Sequence, residues 1–329
     1  MTIEELLQAF RTKKILVIGD VMIDAYILGK VHRVSPEAPV PIVSLSGKEE
    51  RLGGAANVAL NLASLGATPV LCSVIGSDSD GTRMKALLAG QGMSVEGIVN
   101  SDDRVTTVKT RVIGNNQQLL RIDAEDVHPL TKPEELSLIT NVKSLIEKGD
   151  VDAVIFEDYN KGVLTVEVIQ AVIAVAQQYG IPTTVDPKKD NFLAYKGVTL
   201  FKPNLKELKE GVGINCSFGD RESFDRAVNV LEKELDNEIT FVTLSEHGVY
   251  IKKDGTGLHV PAHIRTIADV SGAGDTVISV ATLCLAAGMS VAVVAELSNL
   301  AGGLVCEKSG VVTIDPAQLV KECEGKDLV

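Results

Sequence analysis

DAVIFEDYNKGVLTVEVIQAVIAVAQQYGIPTTV, residues 152–185, decides the fold. It opens on a short apolar run at 152–156, carries a helical stretch over 165–179 and closes on a second β-prone run at 182–185. The same alternation continues outward. Runs at 198–201 (VTLF) and 239–243 (ITFVT) read as buried strands, and helical stretches lie near 131–147, 219–236, 273–287 and 291–307. Strands that alternate with helices predict an α/β fold, a mostly parallel sheet covered by helices. Ligands of such sheets bind beyond the carboxyl ends of the strands, so polar residues just after each run are the ones to examine.

Composition agrees. Of 329 residues 45% are hydrophobic but only 4% aromatic, with no Trp, so the core is built from Val, Ile, Leu and Ala, as a buried parallel sheet requires. Acidic residues outnumber basic ones 44 to 32, a net charge of −12. That surface repels nucleic acid and anionic membranes, so neither is an expected partner. An anionic substrate needs a locally basic pocket. The five cysteines show no metal-ligand spacing and read as free thiols of a reducing cytoplasm. The N-terminal stretch 1–14 has acidic residues and no long apolar run, and so does not read as a signal peptide. No run of about 20 apolar residues offers a membrane span.

Two stretches break the alternation. Residues 21–47 carry β-prone residues and three prolines, and 104–122 read as two short strands around a Gly-Asn-Asn turn. Together they predict a small β-sheet projecting from the large layer; the alternative is a pair of surface loops. A small sheet beside a ligand crevice suggests a lid that keeps water from a reacting group. Its open edge would favour pairing with a second copy, a homodimer.

Three segments carry the chemistry. Asp269–Thr276 (DVSGAGDT) opens a helical pattern. Gly272, Ala273 and Gly274 leave backbone N–H groups bare at a helix start, which binds anions, and Asp275 stands beside them as a candidate base. The plainer reading is a glycine-rich turn whose Asp275 complements the helix dipole. Gly53–Ala59 (GGAANVA) opens another helix: Gly53 and Gly54 allow close approach to the backbone, and Asn57 offers donor and acceptor to a hydroxyl. Tight helix packing would explain it equally. Ile18–Asp24 (IGDVMID) places Asp20 and Asp24 after the first strand, suited to hydroxyls. That strand lacks G-x-G-x-x-G, which argues against a nicotinamide dehydrogenase.

The GGAANVA and DVSGAGDT motifs, in this order and spacing, resemble the two signatures of the PfkB (ribokinase-like) carbohydrate kinases, with Val270 and Ser271 where threonine is frequent. The resemblance covers residues 14 to 315. It implies a ribokinase-like three-layer sandwich with a small β-sheet lid, and ATP and Mg²⁺ as cofactors. Asp275 would be the catalytic base, with Gly272, Ala273 and Gly274 as its anion hole. Asp20, Asp24, Gly53, Gly54 and Asn57 would contact the sugar. Asn204 and Glu207 (PNLKE) would order phosphates, Glu207 reaching Mg²⁺ through water; a helix capping box explains the same pair. Thr243, Ser245, Glu246 and Gly248 (VTLSEHG) would line the nucleotide phosphates, and Asn299 and Gly302 the adenine. Asp269 and Ser271 fall near a monovalent-cation site, implying K⁺.

Within that family, residues 33–41 (RVSPEAPVP), 115–121 (NNQQLLR) and 157–162 (EDYNKG) resemble the branch that phosphorylates D-glycero-D-manno-heptose 7-phosphate for bacterial ADP-heptose and lipopolysaccharide synthesis. In many of those proteins a nucleotidyltransferase follows the kinase. Here the chain reads as a single kinase domain over 1–329, and a separate adenylyltransferase is expected to act later. Lys109, Arg111 and Arg121 on the lid, and Lys161 and Lys188 after strand ends, are candidates to clamp a sugar phosphate, although such residues are commonly solvated surface groups. Asp186 could orient Lys188 or bind hydroxyls. Kinases of ribose, fructose or phosphofructose remain rivals, as does a nucleotide-binding regulator without catalysis.

Overall fold

A computed structural model describes residues 2–324. In chain order its elements are α1 (Ile3–Phe10), β1 (Lys14–Gly19), β2 (Val21–Val34), β3 (Pro41–Gly54), α2 (Ala55–Ser64), β4 (Thr68–Gly76), α3 (Ser79–Gly90), β5 (Ile98–Ser101), β6 (Val108–Gly114) and β7 (Gln117–Ala124). There follow α4 (Lys132–Glu147), β8 (Ala153–Glu157), α5 (Val166–Gln178), β9 (Thr183–Asp186), β10 (Leu200–Phe201), α6 (Leu205–Val212), α7 (Arg221–Leu235), β11 (Ile239–Thr243), β12 (Val249–Lys253), β13 (Thr256–Val260), α8 (Ala273–Ala286), α9 (Val291–Val305) and α10 (Pro316–Cys323).

Nine strands form one sheet in the order β13-β12-β11-β10-β9-β8-β1-β4-β5, parallel except where β12 and β13 turn back at one edge. Strand side chains alternate between faces. Ile15, Val17, Ala153 and Ile155 therefore join a core with α1, α2, α8, α9 and α10, while Leu16, Ile18, Val154 and Phe156 join a second core with α4, α5, α6 and α7. Each central strand is buried on both sides, which is why these runs are apolar throughout rather than alternating. Cys72, Cys216, Cys284 and Cys306 are buried free thiols. No helix among the described residues is long and apolar enough to cross a membrane.

The segments predicted to form a small sheet do so, in the order β3-β2-β6-β7. Asn115 and Asn116 both have positive φ, 51° and 64°, the geometry of a two-residue hairpin turn. The sheet exceeds its sequence-based limits: β3 runs on to Gly54 and delivers the chain directly into α2. Its outward side leaves Val34, Leu45, Leu120 and Ile122 exposed.

Candidate functional site

The carboxyl ends of β1, β8, β9 and β10 meet the N-terminus of α8. Gly272 caps that helix in the left-handed region, φ 80°. The helical ladder begins with Thr276 N–H donating to Gly272 O at 3.1 Å, so the N–H groups of Gly274 and Asp275 precede it, as first-turn amides do. Ala273 differs from expectation: its N–H turns back to the Val270 carbonyl at 3.3 Å, which leaves the cradle to its two successors.

Asp275, third residue of the helix, is buried. Asn57 Nδ2 donates to one carboxylate oxygen at 2.7 Å and the Tyr159 hydroxyl to the other at 2.9 Å. Burial pushes its pKa up to about 6, with the Asn57 and Tyr159 hydrogen bonds opposing and nearby Asp186 reinforcing the rise. α2 thus brings Asn57 from one motif onto Asp275 of the other, 218 residues away.

Two groups join them that the strand-end rule could have found, since both directly close a strand. Glu157 ends β8, is wholly buried, and neither carboxylate oxygen has a hydrogen-bond partner among the described residues. One oxygen each of Glu157, Asp186 and Asp275 lie within 4.8 Å of one another. Burial, then Asp186 and Asp275, drive the Glu157 pKa well up. Lys202 follows β10, is buried, and pairs with Asp186 at 2.8 Å. Lys188 lies 3.5 Å from Asp186 and 3.0 Å from Glu207. Burial acts to raise the Asp186 pKa, but the two lysines outweigh it.

Asp20 is a correction. Its carboxylate faces the loop after β8 and accepts the backbone N–H of Tyr159 (2.8 Å), Lys161 (3.1 Å) and Val163 (3.1 Å). It anchors that loop instead of presenting oxygens to a ligand. Asp24 is buried and tied to Arg111, whose guanidinium stacks 5.5 Å from the Tyr26 ring. A side chain on Gly53 would collide with Asp24, and one on Gly54, at φ 60°, with the Asp20 carbonyl; close approach there is between protein segments. Arg121 is half exposed and pairs with Asp123 at 2.9 Å. Lys109 and Lys161 both reach Glu125, at 2.9 and 2.7 Å.

Across α8 a cavity of about 600 Å³ ends on Ala273 and Gly274. Thr243, Ser245, Glu246, Gly248, Asn299 and Gly302 line it, as expected, and the segment Ala262–Val270 forms a wall the sequence did not announce. Gly248, at φ 84°, admits no side chain because one would strike the Val260 carbonyl. Asn204 and Glu207 stand outside the lining and form a reciprocal capping box on α6, 2.8 and 2.9 Å. Asp269 accepts the Ser271 and Gly310 N–H groups, both at 3.0 Å, and so ties together the two loops beside the cradle.

A nucleotide-sized cavity that ends on a helix N-terminus, with a buried carboxylate in that helix's first turn, suits phosphoryl transfer. Residues 12–318 match the pfkB family of carbohydrate kinases. The chain belongs to that family. This sugar kinase is 39% identical over 97% of its length to the bifunctional protein HldE of Citrifermentans bemidjiense, and 40% identical over 93% to that of Geobacter sulfurreducens. The chain spans 65% and 62% of those two relatives. The kinase fold superposes on phosphofructokinase-2 from Escherichia coli in complex with potassium, with TM-score 0.76 and 19% identity, covering 94% of this chain and 98% of that one.

Proposed function

We propose that this kinase transfers the γ-phosphoryl group of ATP to the anomeric hydroxyl of D-glycero-D-manno-heptose 7-phosphate, giving heptose 1,7-bisphosphate and ADP. The observation that carries the reading is the Asp275 carboxylate, buried in the first turn of α8, the helix whose Ala273 and Gly274 close the 600 Å³ cavity. Asp275 takes the hydroxyl proton as the sugar oxygen attacks the γ-phosphorus. The bond to the β-phosphate oxygen breaks, and the Gly274 and Asp275 N–H groups offset the charge gathering on the moving group. Asp24 and Glu157 supply acceptors for sugar hydroxyls, and the lack of any donor to Glu157 among the described residues supports that role.

Mg²⁺ would travel with the nucleotide phosphates and neutralise their charge. Glu207, with Asp186 across Lys188, provides the hard-oxygen donors that ion takes through water. Asp269 and Ser271 would serve a K⁺ site. The heptose reading rests on the segments at 33–41, 115–121 and 157–162; in the last, Tyr159 touches Asp275. We read the described residues as one kinase domain with the small sheet as its lid.

A substrate panel tests this. With coupled ADP detection, heptose 7-phosphate should exceed fructose 6-phosphate, fructose and ribose in kcat/KM by at least about tenfold, a difference one good phosphate contact supplies. The same rate should fall when K⁺ is replaced by Na⁺. Preference for ribose or fructose would assign the site to an unphosphorylated sugar. The exposed Val34, Leu45, Leu120 and Ile122 support a homodimer through the lid. Sedimentation at micromolar concentration should show a dimer that Leu120→Lys converts to monomer; a wild-type monomer would refute the pairing.

A further inference from the structure

Six basic side chains near the crevice could meet a substrate phosphate, and four of them are committed elsewhere. Arg111 is locked to Asp24 against Tyr26. Arg121 is half exposed beside Asp123. Lys188 is held between Asp186 and Glu207 over the Tyr159 ring. Lys202 is buried on Asp186. Lys109 and Lys161 differ. They come from two bodies, strand β6 of the small sheet and the loop after β8, yet converge on one carboxylate. Lys161 Nζ lies 2.7 Å from one Glu125 oxygen and Lys109 Nζ 2.9 Å from the other.

We propose that Lys109 and Lys161 form the subsite for the sugar's own phosphate, and that Glu125 is a built-in anion which this phosphate displaces. The inference rests on the sugar-phosphate reading above and names the residues that recognise it. A carboxylate presenting one oxygen to each ammonium occupies the position two phosphate oxygens would take. The phosphate brings a third acceptor and a second charge.

Position fits. Lys109 is the register partner of Asp24 in the β2–β6 pair. Lys161 follows by two residues Tyr159, whose hydroxyl touches Asp275, a backbone span of at most roughly 7 Å. The subsite is therefore tied to the reacting end through the short loop that carries both Tyr159 and Lys161. The side chains of Lys109, Lys161 and Glu125 are only 14%, 17% and 19% exposed. Lys109 also pairs with Asp123 at 3.1 Å, but a mostly buried Lys161 ammonium stripped of Glu125 would be costly, so Glu125 stabilises the empty enzyme. Burial alone would raise the Glu125 pKa, but its bonds to Lys161 and Lys109 outweigh that and keep it ionised. A neutral sugar leaves Glu125 in place and gains nothing from the lysines. Only an anionic one replaces it, which makes charge a condition of tight binding.

Calorimetry on the full chain tests this with heptose 7-phosphate, unphosphorylated heptose, inorganic phosphate and ADP as probes. Lys161→Met and Lys109→Met should each weaken heptose 7-phosphate binding about tenfold or more, abolish competition by inorganic phosphate, and leave unphosphorylated heptose and ADP within about twofold. Glu125→Gln should tighten both phosphate-bearing probes several-fold, because the internal competitor is lost. Equal weakening of phosphorylated and unphosphorylated heptose in the lysine variants, with ADP binding intact, would overturn the subsite, as would Glu125→Gln weakening inorganic phosphate. The inorganic phosphate arm needs no sugar. If the substrate panel selects another sugar phosphate while phosphate binding still depends on the two lysines, the heptose reading fails and the subsite stands.

Discussion

Asp275→Asn should lower kcat by about two orders of magnitude or more while ADP binds with nearly unchanged affinity. The substitution is isosteric, so the α8 cradle keeps its Gly274 and Asp275 N–H groups and the nucleotide cavity keeps its walls. What disappears is the carboxylate held by both Asn57 and Tyr159, and loss of a positioned general base typically costs about 10²–10⁴-fold. A variant that retained a tenth of the wild-type rate would remove Asp275 from the base role. The pH profile supplies a second reading of the same group. A base must be ionised to accept a proton, so kcat/KM should rise with pH through the Asp275 pKa of about 6 and level above it. Asp20 also titrates near 6, and Tyr159→Phe separates the two. It removes a hydroxyl that stabilises ionised Asp275 but leaves the backbone N–H that Asp20 accepts. The acid limb should therefore move to higher pH; a limb that stays in place belongs to another group.

The fold was legible where burial is two-sided. Apolar runs such as 152–156 and 239–243 suit the middle of a covered sheet, and the helices between them carry their own period. The hairpin at 115–116 was legible because adjacent asparagines tolerate left-handed geometry. The strand pair β12 and β13 was not read, since its outer strand is mostly exposed and polar and resembles loop. Within the site, the two glycine-rich motifs declared themselves because small residues in a row at a helix start have few structural uses. Glu157 and Lys202 did not, although each closes a strand. A charged residue flush with an apolar run reads as the point where the run meets water, and only the packing of α8 across the strand ends buries both. Asp20 was misjudged for the complementary reason. A carboxylate after a strand can point to the crevice or back to the neighbouring loop, and sequence distance says nothing of the loop 139 residues on that receives it.

That misreading makes Asp20→Ala the sharper experiment of the two. Asp20 sits where three elements cross: its N–H donates to the Glu157 carbonyl at 3.2 Å, its carbonyl accepts from Ala55 at 2.9 Å, and its carboxylate takes three N–H groups of the 159–163 loop. Removing the carboxylate leaves three backbone donors around a site that is 1% exposed, a cost of about 3–5 kcal/mol at 1–3 per orphaned group with some water entering. The expected result is a Tm lowered by roughly 5–10 °C and faster amide exchange at Tyr159, Lys161 and Val163. A further loss of kcat should follow, because the same loop carries the Tyr159 hydroxyl to Asp275. Asp20→Asn should repair part of this: its amide oxygen can take the two N–H groups of Tyr159 and Lys161 that share one carboxylate oxygen, but its amide nitrogen would be a donor facing the Val163 donor. A sugar-contact role makes the opposite forecast, a raised sugar KM with Tm and amide exchange unchanged. The carboxylate's three backbone bonds favour the anchoring role, since most of its acceptor capacity is already taken by the protein.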